Sequence, residues 1–195
     1  MQEYDVIIVG GGITGTAVLY VLSKYTNISR IALIEKYPQL AQVNSKFSNN
    51  RQTLHFGDIE TNYSLEKAKA VKEAAMMVAR YVETIGRKEG IHKKGQKMVL
   101  AVGGEEIRSL EQRYEEIRSL FPELRKAARE ELKKIEPNLL KKRNPEEKIL
   151  ALVSDEGYTI NFSALAESFV KHALQEKKIM ETLLGEEVTS ISRNN

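Results

Sequence analysis

A glycine-rich hexapeptide between an apolar segment and a helix-like one constrains the fold more than any other feature. It fits the pattern GxGxxG and consists of Gly10, Gly11, Gly12, Ile13, Thr14 and Gly15. The preceding run, Tyr4 to Val9, predicts a short buried strand, and residues 12 to 25 predict an apolar helix. In this context the first glycine permits a tight turn, the second lets a pyrophosphate approach the backbone, and the third lets helix and strand pack closely. The pattern predicts an α/β fold with a phosphate-binding turn; a tight turn without a ligand is the alternative.

An acidic residue follows at the spacing that such a turn requires. Arg30 to Glu35 predicts a second buried strand, and Glu35 stands 20 residues beyond Gly15. A carboxylate at this place accepts hydrogen bonds from ribose hydroxyls and repels a 2′-phosphate, which favours FAD or NAD over NADP. We include the adjacent Lys36 in the predicted cofactor site. The alternative is that Glu35 is only an exposed charge at a strand end.

The segment after Glu35 indicates which of the two cofactors, FAD or NAD, the chain binds. Residues 37 to 63 are polar and irregular, and Ser64 is placed to cap a long helix that ends near Ile85. No further apolar strand is predicted until Lys97 to Val102, whereas an NAD-binding domain continues into another αβ unit soon after its second strand. This favours FAD, with the polar loop lying along it. The loop residues predicted to contact the flavin are Gln52, Thr53, Leu54 and His55, and an ordinary polar surface loop is the alternative.

Composition excludes several kinds of chemistry. The chain has no Cys, so disulfide exchange, thiolate zinc sites, iron–sulfur clusters and cysteine nucleophiles are ruled out. The 30 Lys and Arg residues are balanced by 27 Asp and Glu residues, and the net charge of +3 does not indicate a nucleic-acid partner. No three potential ligands stand at metal-binding spacing, so no metal is predicted.

The sequence predicts a cytoplasmic protein that touches a membrane at most peripherally. The longest uncharged run, Val6 to Ser23, is 18 residues long and contains four glycines, whereas a spanning helix needs about 20 apolar residues. Glu3 and Asp5 stand where a signal peptide would be basic. The basic patch of Arg87, Lys88, Lys93, Lys94 and Lys97 could steer a dicarboxylate or rest on anionic lipid, or could be a solvated linker.

The remaining chain predicts helices and one late strand. From Glu105 to Lys148, 23 of 44 residues are charged, which predicts a solvated pair of amphipathic helices broken at Pro122 and Pro137. Asn161 is expected to cap another helix, and Glu187 to Ser192 is expected to be a strand.

With these residues placed, the chain resembles a known family. The runs YDVIIVGGGITGTAVLYVLSKY and IALIEK resemble the amino end of FAD-dependent oxidoreductases of the glutathione-reductase-like superfamily. Residues 48–63, SNNRQTLHFGDIETNY, resemble the loop after the acidic strand end in malate:quinone oxidoreductases. Three later stretches agree in order and spacing: Gln96 to Met98, Glu136 to Asn138, and Asn161 with Phe162. Members of that family are more than twice as long, and Leu19 occupies a position where many FAD-binding fingerprints have a small residue.

The resemblance implies a glutathione-reductase-like, Rossmann-type FAD domain, here incomplete, together with the start of an inserted α+β substrate domain. On that template residues 1–90 form the first FAD-binding segment, residues 91–155 begin the substrate domain, and residues 156–195 return to the FAD domain. With most of the substrate-domain sheet missing, the apolar stripe that starts at Ile107 and Leu110 and continues to Tyr114 and Ile117 is expected to face water.

The resemblance also implies an activity. FAD-dependent oxidation of (S)-malate to oxaloacetate would pass electrons to a membrane quinone, at the inner face of the cytoplasmic membrane. The residues that bind the two substrate carboxylates, and the catalytic base, would lie largely in the carboxy-terminal half of the family, so no catalytic residue is assigned. His55 would contact the flavin, carry it covalently, or be a bystander. The alternatives are an FAD oxidase of 2-hydroxyglutarate or another 2-hydroxy or amino acid, and an inactive or split fragment that needs a complementary chain.

Overall fold

The computed structural model describes residues 3–85 and 90–193, which form two compact units. The first unit comprises the described residues of Met1–Gln52, Ile85–Ile91 and Ile160–Asn195; the second comprises Thr53–Thr84 and His92–Thr159. Arg87 and Lys88 of the basic patch lie outside the described residues. The assignment of residues 1–90, 91–155 and 156–195 to FAD and substrate domains stays a prediction.

The described residues alternate strands and helices along the chain. In order the elements are β1 (Val6–Val9), α1 (Ile13–Tyr25), β2 (Arg30–Glu35), β3 (Thr53–Leu54), α2 (Leu65–Thr84), β4 (His92–Val102), α3 (Gly103–Ile117), β5 (Arg125–Ala128), α4 (Arg129–Ile135), a 3-10 turn (Pro137–Leu140), β6 (Ile149–Ile160), α5 (Phe162–Ala173) and β7 (Ile179–Leu184). The predicted α/β fold is confirmed.

The first unit is a three-stranded parallel sheet with two helices on one face. The strand order is β1-β2-β7, and Val6 pairs with Ile31 at the start of the β1–β2 ladder. Leu19 of α1 and Val170 of α5 pack in one core cluster with residues of β1 and β2. Ile7 and Val9 alternate with the buried Ile8 and remain 54% and 58% exposed. Parallel sheets are normally covered on both faces. The apolar face of β1 that carries Ile7 and Val9 is uncovered in this chain.

The last strand of this sheet is not the predicted one. The prediction of a strand over Glu187 to Ser192 was wrong, since that segment has no regular structure. The strand is β7, which pairs in parallel with β2 over its whole length. The sequence IMETLL has fewer β-branched residues than EVTSIS, so pairing with a buried neighbouring strand overrode local propensity.

The second unit is built around the 12-residue strand β6, which sequence reasoning missed. β3 and β5 pair antiparallel with β6, and β4 is its other neighbour in the sheet. β4 begins five residues before the predicted Lys97. The predicted charged helix pair is interrupted by β5, although α3 and α4 both form.

The apolar face of α3 is packed inside this unit. Leu110 and Ile117 are buried, so the expectation that they face water was wrong. The four strands supply more sheet than the one strand that the sequence indicated. The predicted helix caps are confirmed: the amide of Lys67 donates to Ser64 Oγ at 3.1 Å, and the amide of Ala164 donates to Asn161 Oδ1 at 3.1 Å.

Candidate functional site

The glycine turn connects β1 to α1 with very little free space on one side. Gly10 has a φ of 105°, which favours glycine, and its amide donates to the carbonyl of Ile34 at 2.8 Å. A Cβ added at Gly15 would lie 1.9 Å from the carbonyl oxygen of Gly10. The third position of the motif, Gly15, must therefore be glycine, because the helix lies too close to the end of the strand for a side chain.

The difference between Gly15 and Gly12 gives a stability prediction. We expect Gly15→Ala to destabilise the first unit by about 3 kcal/mol, because the new methyl group collides with backbone that cannot rotate away. Gly12→Ala is the matched control, since its added Cβ meets only Ser45 Oγ at an ordinary 3.5 Å and Gly12 has a φ of −75°. Thermal unfolding of the two variants measures the effect; equal melting temperatures would contradict the packing role of Gly15.

The start of α1 offers hydrogen-bond donors for an anion. The first amides of a helix have no partner within the helix and carry its positive dipole end. The amides of Gly12 and Thr14 make no hydrogen bond to any residue in the described ranges, and the amide of Ile13 donates to Ser45 Oγ at 3.0 Å. Gly12 is the N-cap and leaves the approach to these amides open. Such a group of donors fits a pyrophosphate.

The carboxylate of Glu35 is held beside this turn by backbone amides. Its Oε2 accepts from the amide of Gly11 at 2.6 Å, and its Oε1 accepts from the amide of Tyr37 at 3.0 Å. A carboxylate has about four acceptor positions, so capacity remains for ribose hydroxyls. Lys36 points elsewhere: its side chain is exposed, with Nζ 5.3 Å from the ring centroid of Tyr37 and 3.9 Å from Glu187.

Two further segments that sequence reasoning missed border the same turn. The amide of Ala41 donates to the carbonyl of Gly11 at 3.0 Å, which brings the loop that carries Ser45 onto the start of α1. The chain after β7 also runs along the end of β2, because the amide of Glu186 donates to the carbonyl of Glu35 at 3.1 Å. Nothing in the sequence singled out Ser45 beyond the polarity of its loop. Glu186 directly precedes the segment that was wrongly predicted to be a strand.

The predicted flavin-contacting residues fall into different environments. Gln52 belongs to the first unit, and its side chain is used inside the loop, donating to Asn50 Oδ1 at 2.7 Å and to the carbonyl of Phe47 at 3.1 Å. Thr53 and Leu54 form β3 in the second unit, where Thr53 is exposed and Leu54 is buried. Any cofactor contact from Gln52 or Leu54 would therefore use backbone atoms.

His55 follows β3 and pairs with an acid in the same loop. Its Nδ1 lies 2.5 Å from Glu60 Oε1, and its side chain is 57% exposed whereas that of Glu60 is only 13% exposed. A histidine held by a partly buried carboxylate is an arrangement used for proton transfer. Glu60 was not identified from the sequence.

A second polar cluster joins α2, β4 and β6 in the second unit. The hydroxyl of Tyr158 donates to Glu83, and Lys94 lies 2.9 Å from Glu83 and 3.1 Å from Glu156. The hydrogen bond from Tyr158 and then the one from Lys94 lower the pKa of Glu83, and burial raises the pKa of Tyr158. The hydrogen bond to Glu83 also raises the pKa of Lys94.

The cluster predicts a pH dependence. The stability contributed by the lowered pKa of Glu83 is complete above 4.5, its ordinary value, and is lost as the pH falls through the folded-state pKa. We expect the melting temperature of Glu83→Gln to lie below that of the unmodified chain at neutral pH, and the difference to shrink in acid. Glu105→Gln, at an exposed position of α3, is the control. A difference that stays constant with pH would contradict this account.

The described part of the basic patch is largely neutralised. Lys97 Nζ forms an ion pair with the buried Asp58 at 2.7 Å, and Lys94 is shared by two glutamates. An open cleft of about 280 Å³ beside the cluster is lined by three basic and three acidic side chains. These are Lys72, Arg80, Lys94, Glu83, Glu123 and Glu156. Steering of a dicarboxylate by this patch stays a prediction without support from the geometry.

Two features are absent from residues 3–85 and 90–193, a membrane-spanning helix and a metal-binding cluster. Among these residues no helix is long and apolar enough to cross a bilayer. The same residues contain no group of three or more His, Asp or Glu side chains that could hold a metal ion.

Comparison with known proteins decides the family. The family description of malate:quinone oxidoreductases matches residues 2–195. The chain belongs to the malate:quinone oxidoreductase family. A probable malate:quinone oxidoreductase of Campylobacter jejuni is 37% identical over 201 residues, and a malate:quinone oxidoreductase of Helicobacter pylori is 36% identical over 199. Both matches cover 100% of this chain but only 45% and 44% of the relatives, so this family member spans a little under half of their length.

Solved structures of other proteins share the fold of this chain. An L-α-glycerophosphate oxidase of Mycoplasma pneumoniae with FAD bound is 26% identical, with a TM-score of 0.71 over 100% of this chain and 48% of that one. A glycine oxidase of Geobacillus kaustophilus is 20% identical, with a TM-score of 0.76 over 98% of this chain and 49% of that one. The second likeness shows the fold alone. The resemblance seen in the sequence is thus confirmed at the level of family and fold.

Proposed function

We propose that this chain is the cofactor-holding, amino-terminal portion of an enzyme that oxidises (S)-malate to oxaloacetate with FAD and passes the electrons to a membrane quinone. Membership of the malate:quinone oxidoreductase family supports the reaction. The cofactor assignment rests on two observations taken together. The amides of Gly12 and Thr14 have no hydrogen-bond partner in the described ranges, and the carboxylate of Glu35 is held beside them by backbone amides.

The residues of the first unit suit the two ends of an ADP moiety. The amides at the start of α1 and the hydroxyl of Ser45 would hold the pyrophosphate, and Glu35 would accept the ribose hydroxyls. The open space at Gly12 suits a close approach of phosphate to backbone. FAD, when bound, supplies the hydride acceptor of the reaction. The chain itself would hold the cofactor in position and would supply hydrogen-bond donors to its negatively charged pyrophosphate.

Removing the ribose acceptor gives a measurable loss of affinity. We expect Glu35→Ala, in a chain extended to the length of its relatives, to weaken FAD binding by about 1.5–3 kcal/mol, the range for hydrogen bonds to charged groups. Glu35→Gln should lose less, because it keeps an acceptor for the amide of Gly11. Glu187→Ala removes an exposed acid nearby and serves as the control. Calorimetric titration with FAD measures the dissociation constant of each variant. An unchanged dissociation constant for Glu35→Ala would show that Glu35 does not bind the cofactor.

The substrate is tested directly with a panel of acids. An extended chain loaded with FAD is mixed without oxygen with (S)-malate, 2-hydroxyglutarate, glycine or proline, and reduction of the flavin is followed. We expect malate to reduce the flavin fastest; faster reduction by 2-hydroxyglutarate or an amino acid would favour the alternative oxidases. The use of a quinone acceptor would place the enzyme at the inner face of the cytoplasmic membrane, as a peripheral protein.

A further inference from the structure

Four lysines of the second unit lie in one short segment and have no carboxylate partner. Lys133 and Lys134 belong to the last turn of α4, and Lys141 and Lys142 follow the 3-10 turn that packs against this helix. All four residues are exposed, and their ammonium groups form no hydrogen bond or ion pair with any residue in the described ranges. These four residues, the lysine patch, are therefore available to a partner outside the chain.

The segment that carries the lysine patch has its apolar side turned inward. Ile135, Leu139 and Leu140 pack against the core cluster that α4 forms with β5 and β6. The run from Lys133 to Arg143 contains five basic residues and one acidic residue, Glu136. The carboxylate of Glu136 accepts from an amide of the following 3-10 turn at 3.3 Å. The outward side of the segment is therefore strongly basic.

The arginines of the same region hold the segment in shape. Arg129 donates through Nη2 to the carbonyl of Asn144 at 2.8 Å. Arg143 donates through Nε to the carbonyl of Leu139 at 2.9 Å and forms an ion pair with Glu147 at 3.1 Å. The guanidinium groups are thus used inside the second unit, whereas the ammonium groups of the lysine patch are left in water.

We propose that the lysine patch is the surface by which the enzyme rests on a membrane that contains anionic lipids. The choice of a membrane rests on the proposed function, because a quinone acceptor is dissolved in a bilayer. An anionic lipid surface has a negative potential that attracts Lys and Arg and falls off within a Debye length. Since the apolar residues of the segment face inward, the attachment is electrostatic and is reversed by salt.

The basic patch indicated by the sequence fits this role less well. Of its described members, Lys97 pairs with Asp58 at 2.7 Å and Lys94 is shared by two glutamates, so Lys93 is the member without an ion pair. A lysine that already faces a carboxylate adds little attraction to an anionic surface. A nucleic acid is the other kind of anionic partner, and the near balance of 30 basic and 27 acidic residues does not favour it.

The surface is tested by sedimentation of a chain extended to the length of its relatives with lipid vesicles. Vesicles of phosphatidylglycerol mixed with phosphatidylcholine are compared with vesicles of phosphatidylcholine alone. We expect binding to the anionic vesicles at low salt and release at high salt. Replacing the whole lysine patch by Gln should weaken binding about fivefold for each charge removed. The control removes the same charge from scattered exposed positions, Lys67, Lys69, Arg108 and Lys177, and should weaken binding far less.

Lys142 offers a single substitution that separates charge from folding. Its φ of 63° is a conformation that favours glycine, so Lys142→Gly removes the charge without straining the backbone. We expect this variant to bind anionic vesicles about fivefold more weakly and its melting temperature not to fall. Lys69→Gln, at an exposed position of α2, is the control with one charge removed and should bind almost as the unmodified chain does.

Equal binding by the patch variant and the scattered variant would overturn the inference. Salt-resistant binding, equal binding to neutral vesicles, or displacement of the vesicles by a short DNA duplex would also overturn it. The proposed function is measured in the same samples as malate-dependent reduction of a water-soluble quinone and of a long-chain quinone held in the vesicles. Loss of the patch should lower the ratio of long-chain to water-soluble turnover. An unmodified chain that binds vesicles but oxidises no malate would overturn the proposed function alone.

Discussion

A Gly12→Val variant of a chain extended to the length of its relatives is expected to fold normally and to purify without bound FAD. A Cβ at this position meets only Ser45 Oγ at 3.5 Å, and Gly12 has a φ of −75°, so we expect the fold to tolerate a side chain here. The same side chain fills the space through which a pyrophosphate would reach the amides of α1. Flavin content per chain, read from the absorbance of the purified protein, is the measurement.

The matched control for this substitution is Gly95→Val. An added Cβ at Gly95 meets nothing within 4 Å, and the position lies in β4 of the other unit. We expect this variant to keep one flavin per chain. A Gly12→Val protein that also keeps one flavin per chain would exclude the glycine turn as the pyrophosphate site.

The 195 residues alone are expected to show no malate oxidation. The described residues supply the proposed pyrophosphate turn, the proposed ribose acceptor Glu35 and the loop that carries His55, but the chain covers only 44–45% of its relatives. The uncovered face of β1, with Ile7 and Val9 exposed, favours aggregation or association of the isolated chain. The purified chain is supplied with FAD and malate, and reduction of a quinone analogue is followed.

The extended chain in the same assay is the positive control for this second prediction. Turnover by residues 1–195 well above a sample without protein would show that the catalytic unit is smaller than the family implies. The absence of turnover in the short chain together with turnover in the long one is the expected pair of results.

The parts of the fold that the sequence predicted are those fixed by local geometry. The turn at Gly10 to Gly15 needs a positive φ and a close approach, which only glycine provides, so its pattern is readable. Ser64 and Asn161 cap helices through bonds to residues three positions ahead, and such bonds depend on the sequence alone.

The parts that escaped prediction depend on distant partners. β7 is a strand because β2 lies beside it, although its own residues have weak β-propensity. Leu110 and Ile117 of α3 are buried in a unit whose sheet has four strands, including β6, which was not predicted. Ser45 contacts Ile13 and Glu60 contacts His55 only in the folded chain, and no spacing rule connects these pairs.

We propose that this chain carries the FAD site of a malate-oxidising enzyme. The most direct measurement is the absorbance of the flavin in an extended chain, followed without oxygen as (S)-malate is added. We predict that the yellow flavin bleaches fully, that oxaloacetate forms in equal amount, and that a quinone analogue restores the colour. A flavin that stays oxidised at saturating malate, in a folded protein holding one FAD per chain, would contradict the claim.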